Sequence, residues 1–183
     1  SMPSVQHFVP NGDGWLLSLN QAWDPATLRP DRLPVLIVPG YGMNSFIFGY
    51  HPRGRSFEAA LVRAGFEVWR VDLRAQGPSK RDGGSDVYRL DDLARDLGAV
   101  ISAVRDRTRS TRDAVAIIGA SLGATIMFGH VALAGEKHIG ALVAIGGPVR
   151  WERVHPLLRV AFASPRLVGS VPVMGSRRSE ERR

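Results

Sequence analysis

The sequence Gly-Ala-Ser-Leu-Gly at positions 119–123 limits what this chain can fold into more than any other feature. The short apolar run before it, 114–118, predicts a buried strand, and the apolar run after it, 124–133, predicts a buried helix. A serine between a strand and a helix, with a glycine two positions away on each side, is typical of a nucleophile elbow. The turn must be sharp so that the Ser121 hydroxyl stands clear of the backbone. Gly119 and Gly123 lack the Cβ atoms that would crowd such a turn.

A chance match is the alternative, because the chain holds 20 glycines. The flanking strand and helix favour a true elbow over a chance match. The start of the helix would also leave backbone N–H groups free near the place where an oxyanion forms.

Length and composition favour a single globular domain. The chain has 183 residues, 44% of them hydrophobic, which suits one globular core. Cysteine is absent, which excludes disulfides and thiolate metal sites, and neither a G-x-G-x-x-G pattern nor a P-loop occurs. We therefore expect neither a cofactor nor a metal. No secretory signal and no membrane-length apolar segment is found, so the expected location is the cytoplasm.

The net charge of +7 raises the question of a nucleic-acid partner. Residues 148–183 carry eight arginines and three glutamates, a net charge of +5, so the remaining 147 residues are nearly balanced. No nucleic-acid motif accompanies this basic segment. The distribution favours a solvated tail over a nucleic-acid surface.

Apolar runs alternate between strand-like and helix-like segments along the chain. A hairpin is predicted for 7–9 and 15–19, around the Asn-Gly and Asp-Gly turn signals of 10–14, and a loop for 24–32. The further predicted elements are a strand at 34–38, a helix at 56–64 ended by Gly65, a strand at 66–71, a charged loop at 74–88, a helix from Leu90 to about Val104 and a strand at 141–145. The charges near its two ends would complement the dipole of that helix. The acidic residues at its start are Asp91 and Asp92, and the basic residues at its end are Arg105, Arg107 and Arg109. This alternation predicts a mainly parallel α/β sheet with helices on both faces.

Three motifs in this order resemble the α/β-hydrolase family. Pro39-Gly40-Tyr41-Gly42 is similar to the family's oxyanion loop, although Pro39 stands where a histidine is usual. The segment 71–79, Val-Asp-Leu-Arg-Ala-Gln-Gly-Pro-Ser, is similar to the family's D-x-R-G-x-G-x-S loop, with Ala75 in place of one glycine. The elbow is the third motif. The resemblance covers roughly residues 5–150 and specifies the fold more than the substrate.

The resemblance implies a role for each motif. Ser121 would be the nucleophile, and the backbone N–H groups of Tyr41 and Leu122 would form the oxyanion hole. Gly40, Gly119 and Gly123 would support the two turns. Asp72 and Arg74 would be structural, holding their loop together by hydrogen bonds and a salt bridge.

The acid and the histidine of a serine triad are the parts that the sequence does not supply clearly. In this family they follow the serine in the chain, yet only His155, Glu152, Glu180 and Glu181 follow Gly147. His130 would lie about 13 Å along the helix from Ser121, and His138 would lie at the opposite end of the sheet. His7 belongs to the hairpin. His51, after the oxyanion loop, is the candidate for a group that lines the pocket.

Residues 1–150 are therefore interpreted as the N-terminal part of an α/β-hydrolase core that is incomplete at its C-terminal end. Residues 151–183 are interpreted as the start of a cap or lid, followed by a basic tail. Apolar residues and arginines alternate in the cap segment, so a basic amphipathic helix that contacts a membrane is the rival interpretation.

The expected activity is hydrolysis of a carboxylic ester, acyl or lipid-like, through an acyl-enzyme on Ser121. The first alternative is a catalytically incomplete fragment or pseudo-enzyme, with an open sheet edge near Ile145 that a partner or a further C-terminal segment would complete. The second is an acyltransferase related to polyester synthases, which segment 38–44 distantly resembles. Those enzymes carry Cys at the elbow, and Ser121 argues against this alternative.

Overall fold

The computed structural model describes residues 2–40 and 57–145 as a seven-stranded mixed sheet with three helices. The strands are β1 Ser4–Pro10, β2 Trp15–Ala22, β3 Val35–Val38, β4 Val68–Asp72, β5 Lys80–Arg81, β6 Val115–Ala120 and β7 Ile139–Ile145. The helices are α1 Phe57–Arg63, α2 Leu90–Arg107 and α3 Leu122–Ala134. The sheet order is β1-β2-β4-β3-β6-β7, with β5 paired to β2, which agrees with the predicted α/β class.

The centre of the sheet is parallel, as the apolar runs predict. β3 pairs in parallel with both β4 and β6, and β6 pairs in parallel with β7. Every residue of β3 and of β6 is buried, because helices cover both faces. Within the described residues, β7 pairs with β6 alone.

Successive side chains of the central strands enter two separate cores, because strand side chains alternate between faces. On one face, Leu36 and Ile117 pack with residues of α2 and α3. On the other face, Ile37 and Ile118 pack with Phe57 and Leu61 of α1. The helices therefore lie on both faces of the sheet, which confirms the expected layering.

The N-terminal hairpin is confirmed and is longer than predicted. Its strands extend into polar residues at Ser4 and Gln21, which the apolar pattern did not mark. β2 continues the sheet by pairing antiparallel with β4, from Ser18–Asp72 to Ala22–Val68. The hairpin is thus part of the main sheet. Its polar residues are in strands because they pair with neighbouring strands: Ser4 pairs with Ala22 of β2, and Gln21 pairs with Trp69 of β4.

The predicted end of α1 at Gly65 is confirmed by its hydrogen bonds. Gly65 has φ +98°, its N–H donates to Val62 O, and the N–H of Phe66 donates to Leu61 O. These two bonds form a Schellman motif, which satisfies carbonyls left free at the helix end.

Helix α2 begins and ends close to the predicted limits. Asp92 Oδ2 accepts a 2.8 Å hydrogen bond from the Arg89 N–H, and this bond lowers the pKa of the Asp92 carboxyl. The helix stops at Arg107, so Arg109, which was expected at its end, lies beyond it. The Arg109 guanidinium sits 4.1 Å from the centre of the Trp23 ring.

The segment 74–88, predicted as a loop throughout, contains the short strand β5. Lys80 and Arg81 pair with Leu16 and Trp15 of β2. Both residues of β5 are charged and exposed, so no apolar alternation marks the strand. Across the described ranges, no helix combines the length and the apolarity that a membrane crossing needs.

Candidate active site

Ser121 stands at the junction of β6 and α3 in a strained backbone conformation. Its φ is +55° and its side chain is exposed, and its N–H donates a 2.8 Å hydrogen bond to Ile145 O at the end of β7. A positive φ costs a residue with a Cβ about 1–2 kcal/mol, and such strain concentrates at functional sites. The predicted elbow is therefore present, and its turn presents the hydroxyl to solvent.

The two glycines of the elbow are required by close backbone packing. A Cβ on Gly119 would lie 2.7 Å from the Cα of Ala124. A Cβ on Gly123 would overlap the Val38 carbonyl and would lie 2.7 Å from Pro39 O. Gly119 thus lets the first turn of α3 fold back on β6, and Gly123 lets α3 rest on the end of β3.

Gly40 brings the end of β3 against the elbow. A Cβ on Gly40 would lie 3.3 Å from the Ser121 Cβ and 3.7 Å from the Leu122 nitrogen. The first N–H groups of a helix have no partner inside the helix, and the N–H of Leu122, a predicted oxyanion donor, is one of them. Tyr41, the other predicted oxyanion residue, lies outside the described residues.

The loop after β4 folds back over the end of its own strand. Gly77 has φ +47°, and a Cβ there would lie 2.8 Å from the Asp72 Cγ. The Ser79 hydroxyl donates to Asp72 O at 2.7 Å and accepts from the Ser18 N–H at 2.8 Å. Ala75 has φ +57°, which explains why the family motif has glycine at this position.

Arg74 has the structural role that was expected. Its guanidinium forms two hydrogen bonds to Asp96 of α2, at 2.7 and 3.0 Å, and an ion pair with Asp13 at 2.6 Å. The Asp96 hydrogen bonds are the main cause that raises the pKa of Arg74 above its ordinary value. Asn11 Nδ2 donates to Asp96 as well. These partners lie far away in the chain, and no local pattern in the sequence identifies them.

The three described histidines contact a backbone carbonyl, a tryptophan ring and a carboxylate, respectively, and these contacts indicate structural roles. His130 Nδ1 lies 3.1 Å from Ala94 O and the ring is buried, as expected for a core residue. His7 stacks on Trp69. His138 lies at the amino end of β7, and its Nδ1 is 3.9 Å from the Asp113 Oδ2.

His51 and His155 lie outside the described residues. The part of the chain that the structure describes thus supplies no histidine beside Ser121, and it contains no group of three His, Asp or Glu residues that could hold a metal.

The comparison with protein families agrees with this geometry. The model of the alpha/beta hydrolase fold family matches residues 34–167, which include all three motifs. No curated protein gives a significant match to the chain.

Solved structures share the fold at low sequence identity. An epoxide hydrolase from Vigna radiata is 17% identical with a TM-score of 0.58, over 81% of this chain and 39% of that one. A putative lipase from Acinetobacter baumannii is 16% identical with a TM-score of 0.58, over 81% and 43% of the two chains. A putative aryl esterase from Burkholderia cenocepacia is 21% identical with a TM-score of 0.56, over 79% and 47%.

The chain thus spans less than half the length of these three proteins, and at such identities the likeness concerns the fold alone. The family match covers most of the chain and includes the segments 39–42, 71–79 and 119–123. This chain belongs to the alpha/beta hydrolase fold family.

Proposed function

We propose that Ser121 is the nucleophile of a hydrolase that cleaves carboxylic esters. One observation carries the proposal: an exposed serine with φ +55° stands beside Gly40 and the Leu122 nitrogen. This geometry supports the proposal, because the N–H of Leu122 would donate a hydrogen bond to the tetrahedral oxyanion that forms on attack by Ser121. Glycine would adopt this conformation without strain, so the presence of a serine there supports a role for its hydroxyl.

The reaction has two steps on the same serine. The Ser121 oxygen would bond to the ester carbonyl carbon while its proton passes to a base, and the alcohol would leave with that proton. Water would then attack the acyl-enzyme, release the acid and restore the hydroxyl. Because no described histidine lies beside Ser121, the candidates for the base are His51, His155, a partner chain and a further C-terminal segment.

The hydroxyl nucleophile favours esters over epoxides, although an epoxide hydrolase is among the structural neighbours. Attack of a serine oxygen on an epoxide carbon would form an alkyl ether. An ether has no carbonyl for water to attack, so the enzyme would not turn over by the acyl route. An acyl group on Ser121 keeps that carbonyl, and hydrolysis restores the enzyme.

The acyl group is proposed to be lipid-like, because apolar residues dominate the segment 151–173, which we interpret as the start of a cap. The p-nitrophenyl esters of acetate, butyrate, octanoate and laurate test this. We expect kcat/KM to rise with chain length to an optimum, and intact-mass spectrometry to detect the matching acyl-enzyme. Equal, trace rates for all four esters in a folded sample would contradict the proposal and favour a catalytically incomplete chain.

A further inference from the structure

Strand β7 is an uncharged edge of the described sheet. Among residues 2–40 and 57–145 its partner strand is β6 alone, so within these ranges its outer backbone groups have no strand partner. Its sequence, Ile-Gly-Ala-Leu-Val-Ala-Ile, contains neither a charge nor a proline, and five of its seven residues are half-buried. Natural edge strands usually carry charged residues or proline, which discourage pairing with another chain. β7 therefore has the composition of an inner strand.

The opposite edge of the sheet is protected in the usual way. β1 contains the exposed polar residues Ser4 and Gln6 and ends at Pro10. The Lys80 Nζ of β5 lies 4.6 Å from the centre of the Phe8 ring and places a positive charge against this edge. The contrast indicates that β7, and not β1, is the edge that is suited to further pairing.

Helix α3 continues the apolar surface beside β7. It contains no charged residue, and Phe128 is 52% exposed. Gly129 faces α2, since a Cβ there would lie 3.3 Å from the Ala94 Cβ. Ala124, Phe128 and Val131, spaced by four and three residues, share the flank of the helix away from that contact. Since α3 contacts α2 on one side and β7 on the other, this flank faces the β7 edge.

We propose that a second copy of this chain pairs with β7 in antiparallel orientation, so that the two sheets become one. The two-fold axis would pass through Leu142, the middle residue of β7. Ala141 would then face Val143 of the second copy, and Gly140 would face Ala144. Every facing pair is apolar, so the pairing buries no charge.

Two features favour a second copy over residues 148–183 as the partner of β7. Charges and prolines interrupt that segment so often that its longest run free of both is five residues, at 160–164 and 167–171. β7 is a run of seven such residues and therefore matches itself better. Antiparallel pairing also directs the two basic segments, each with a net charge of +5, to opposite ends of the joined strands, which keeps their like charges apart.

The two α3 helices would close the interface on one face of the joined sheet. Three strand spacings, about 14 Å, would separate the two β6 strands, whereas helices in direct contact pack about 8–10 Å apart. Large side chains on the facing flanks must fill the difference, and Phe128 is the largest on this flank of α3. Leu142 lies beneath, on the face of the sheet that packs with α3. Phe128 would thus become buried at the centre of the interface.

The molar mass in solution tests the proposal and needs no catalytic activity. Light scattering after size-exclusion chromatography, across micromolar concentrations, should give twice the 19.9 kDa of one chain. Phe128→Lys places two charges in each interface and should raise the dimer Kd about 100-fold or more. A native protein that stays monomeric would overturn the proposal. If Phe128→Lys then lowered the melting temperature, the cover of this flank would be part of the same chain.

Leu133→Lys is the matched control. Leu133 is 53% exposed on the same helix, but it follows Gly129 by four residues and so lies on the flank toward α2. This variant should remain a dimer, and circular dichroism should show that both variants fold like the native protein. A dimer that Phe128→Lys leaves intact, or one that both substitutions dissociate equally, would overturn the proposal.

Leu142→Cys tests the register of the pairing in a chain that has no cysteine of its own. The two-fold axis brings the two Leu142 positions opposite each other, with Cβ atoms about 5 Å apart. The two Ala144 positions would lie four residues apart along the strands, about 14 Å, so Ala144→Cys is the control. Dibromobimane, which bridges only nearby thiols, should convert Leu142→Cys alone into a covalent dimer on a denaturing gel. Crosslinking of both variants, of neither, or of Ala144→Cys alone would overturn the pairing.

Discussion

Replacing Arg74 by leucine is expected to lower the free energy of unfolding by about 3–5 kcal/mol, measured by urea denaturation. The Arg74 and Asp96 side chains are only 3% and 2% exposed, so the variant leaves the Asp96 carboxylate buried without its counter-ion. Asn11 would remain as a donor to Asp96, but an amide does not neutralise a charge. The loss is large because the surviving partner stays desolvated.

Two further variants separate this cause from others. Asp13→Asn removes the other anionic partner of Arg74, but that side chain is 62% exposed, so the loss should be below about 1 kcal/mol. The double variant Arg74→Leu, Asp96→Leu removes both buried charges and should be more stable than Arg74→Leu alone. If the second substitution instead lowered stability further, the buried charge would not be the cause.

Replacing Gly123 by alanine is expected to cost about 3 kcal/mol and to reduce ester hydrolysis strongly. The new Cβ would overlap the Val38 carbonyl and approach Pro39 O, and both are backbone atoms that cannot rotate away. Helix α3 would have to move off β3, and this movement would shift Ser121 and the Leu122 nitrogen away from Gly40. Circular dichroism during urea denaturation and steady-state kinetics measure the two effects.

Gly98→Ala is the control for the Gly123 variant. Gly98 lies inside α2, and a Cβ there would meet the His130 ring at 3.7 Å, an ordinary contact. The same substitution should therefore stabilise the protein by up to about 1 kcal/mol, through helix propensity. Equal losses of stability and activity in Gly98→Ala and Gly123→Ala would mean that the close packing at Gly123 is not what makes the elbow sensitive to a Cβ.

The parts of the fold that the sequence predicts are those with a strong local signal. The apolar run before Ser121 predicts a buried strand, and β6 is buried throughout. Gly65 predicts the end of α1 because the αL conformation there favours glycine, and its φ of +98° agrees. The elbow is predicted because a single pentapeptide contains both its serine and its glycines.

The remaining features depend on contacts between residues far apart in the chain. The two residues of β5 are charged, and only their pairing with Trp15 and Leu16 makes them a strand. Arg74 finds Asp96 because the loop after β4 packs against α2, a contact that neither segment specifies alone. The burial of Gln76 likewise follows from how its loop folds over the end of β4, since glutamine is usually exposed.

Labelling with a fluorophosphonate tests the central claim, that Ser121 is an activated nucleophile, most directly. The native protein should be labelled in proportion to time and probe concentration, Ser121→Ala should not be labelled, and Ser102→Ala, which changes an exposed serine of α2, should be labelled like the native protein. His51→Ala and His155→Ala, tested in the same way, would show whether either histidine supplies the base. A folded native protein that remains unlabelled would contradict the account, because the elbow would then be present without an activated serine.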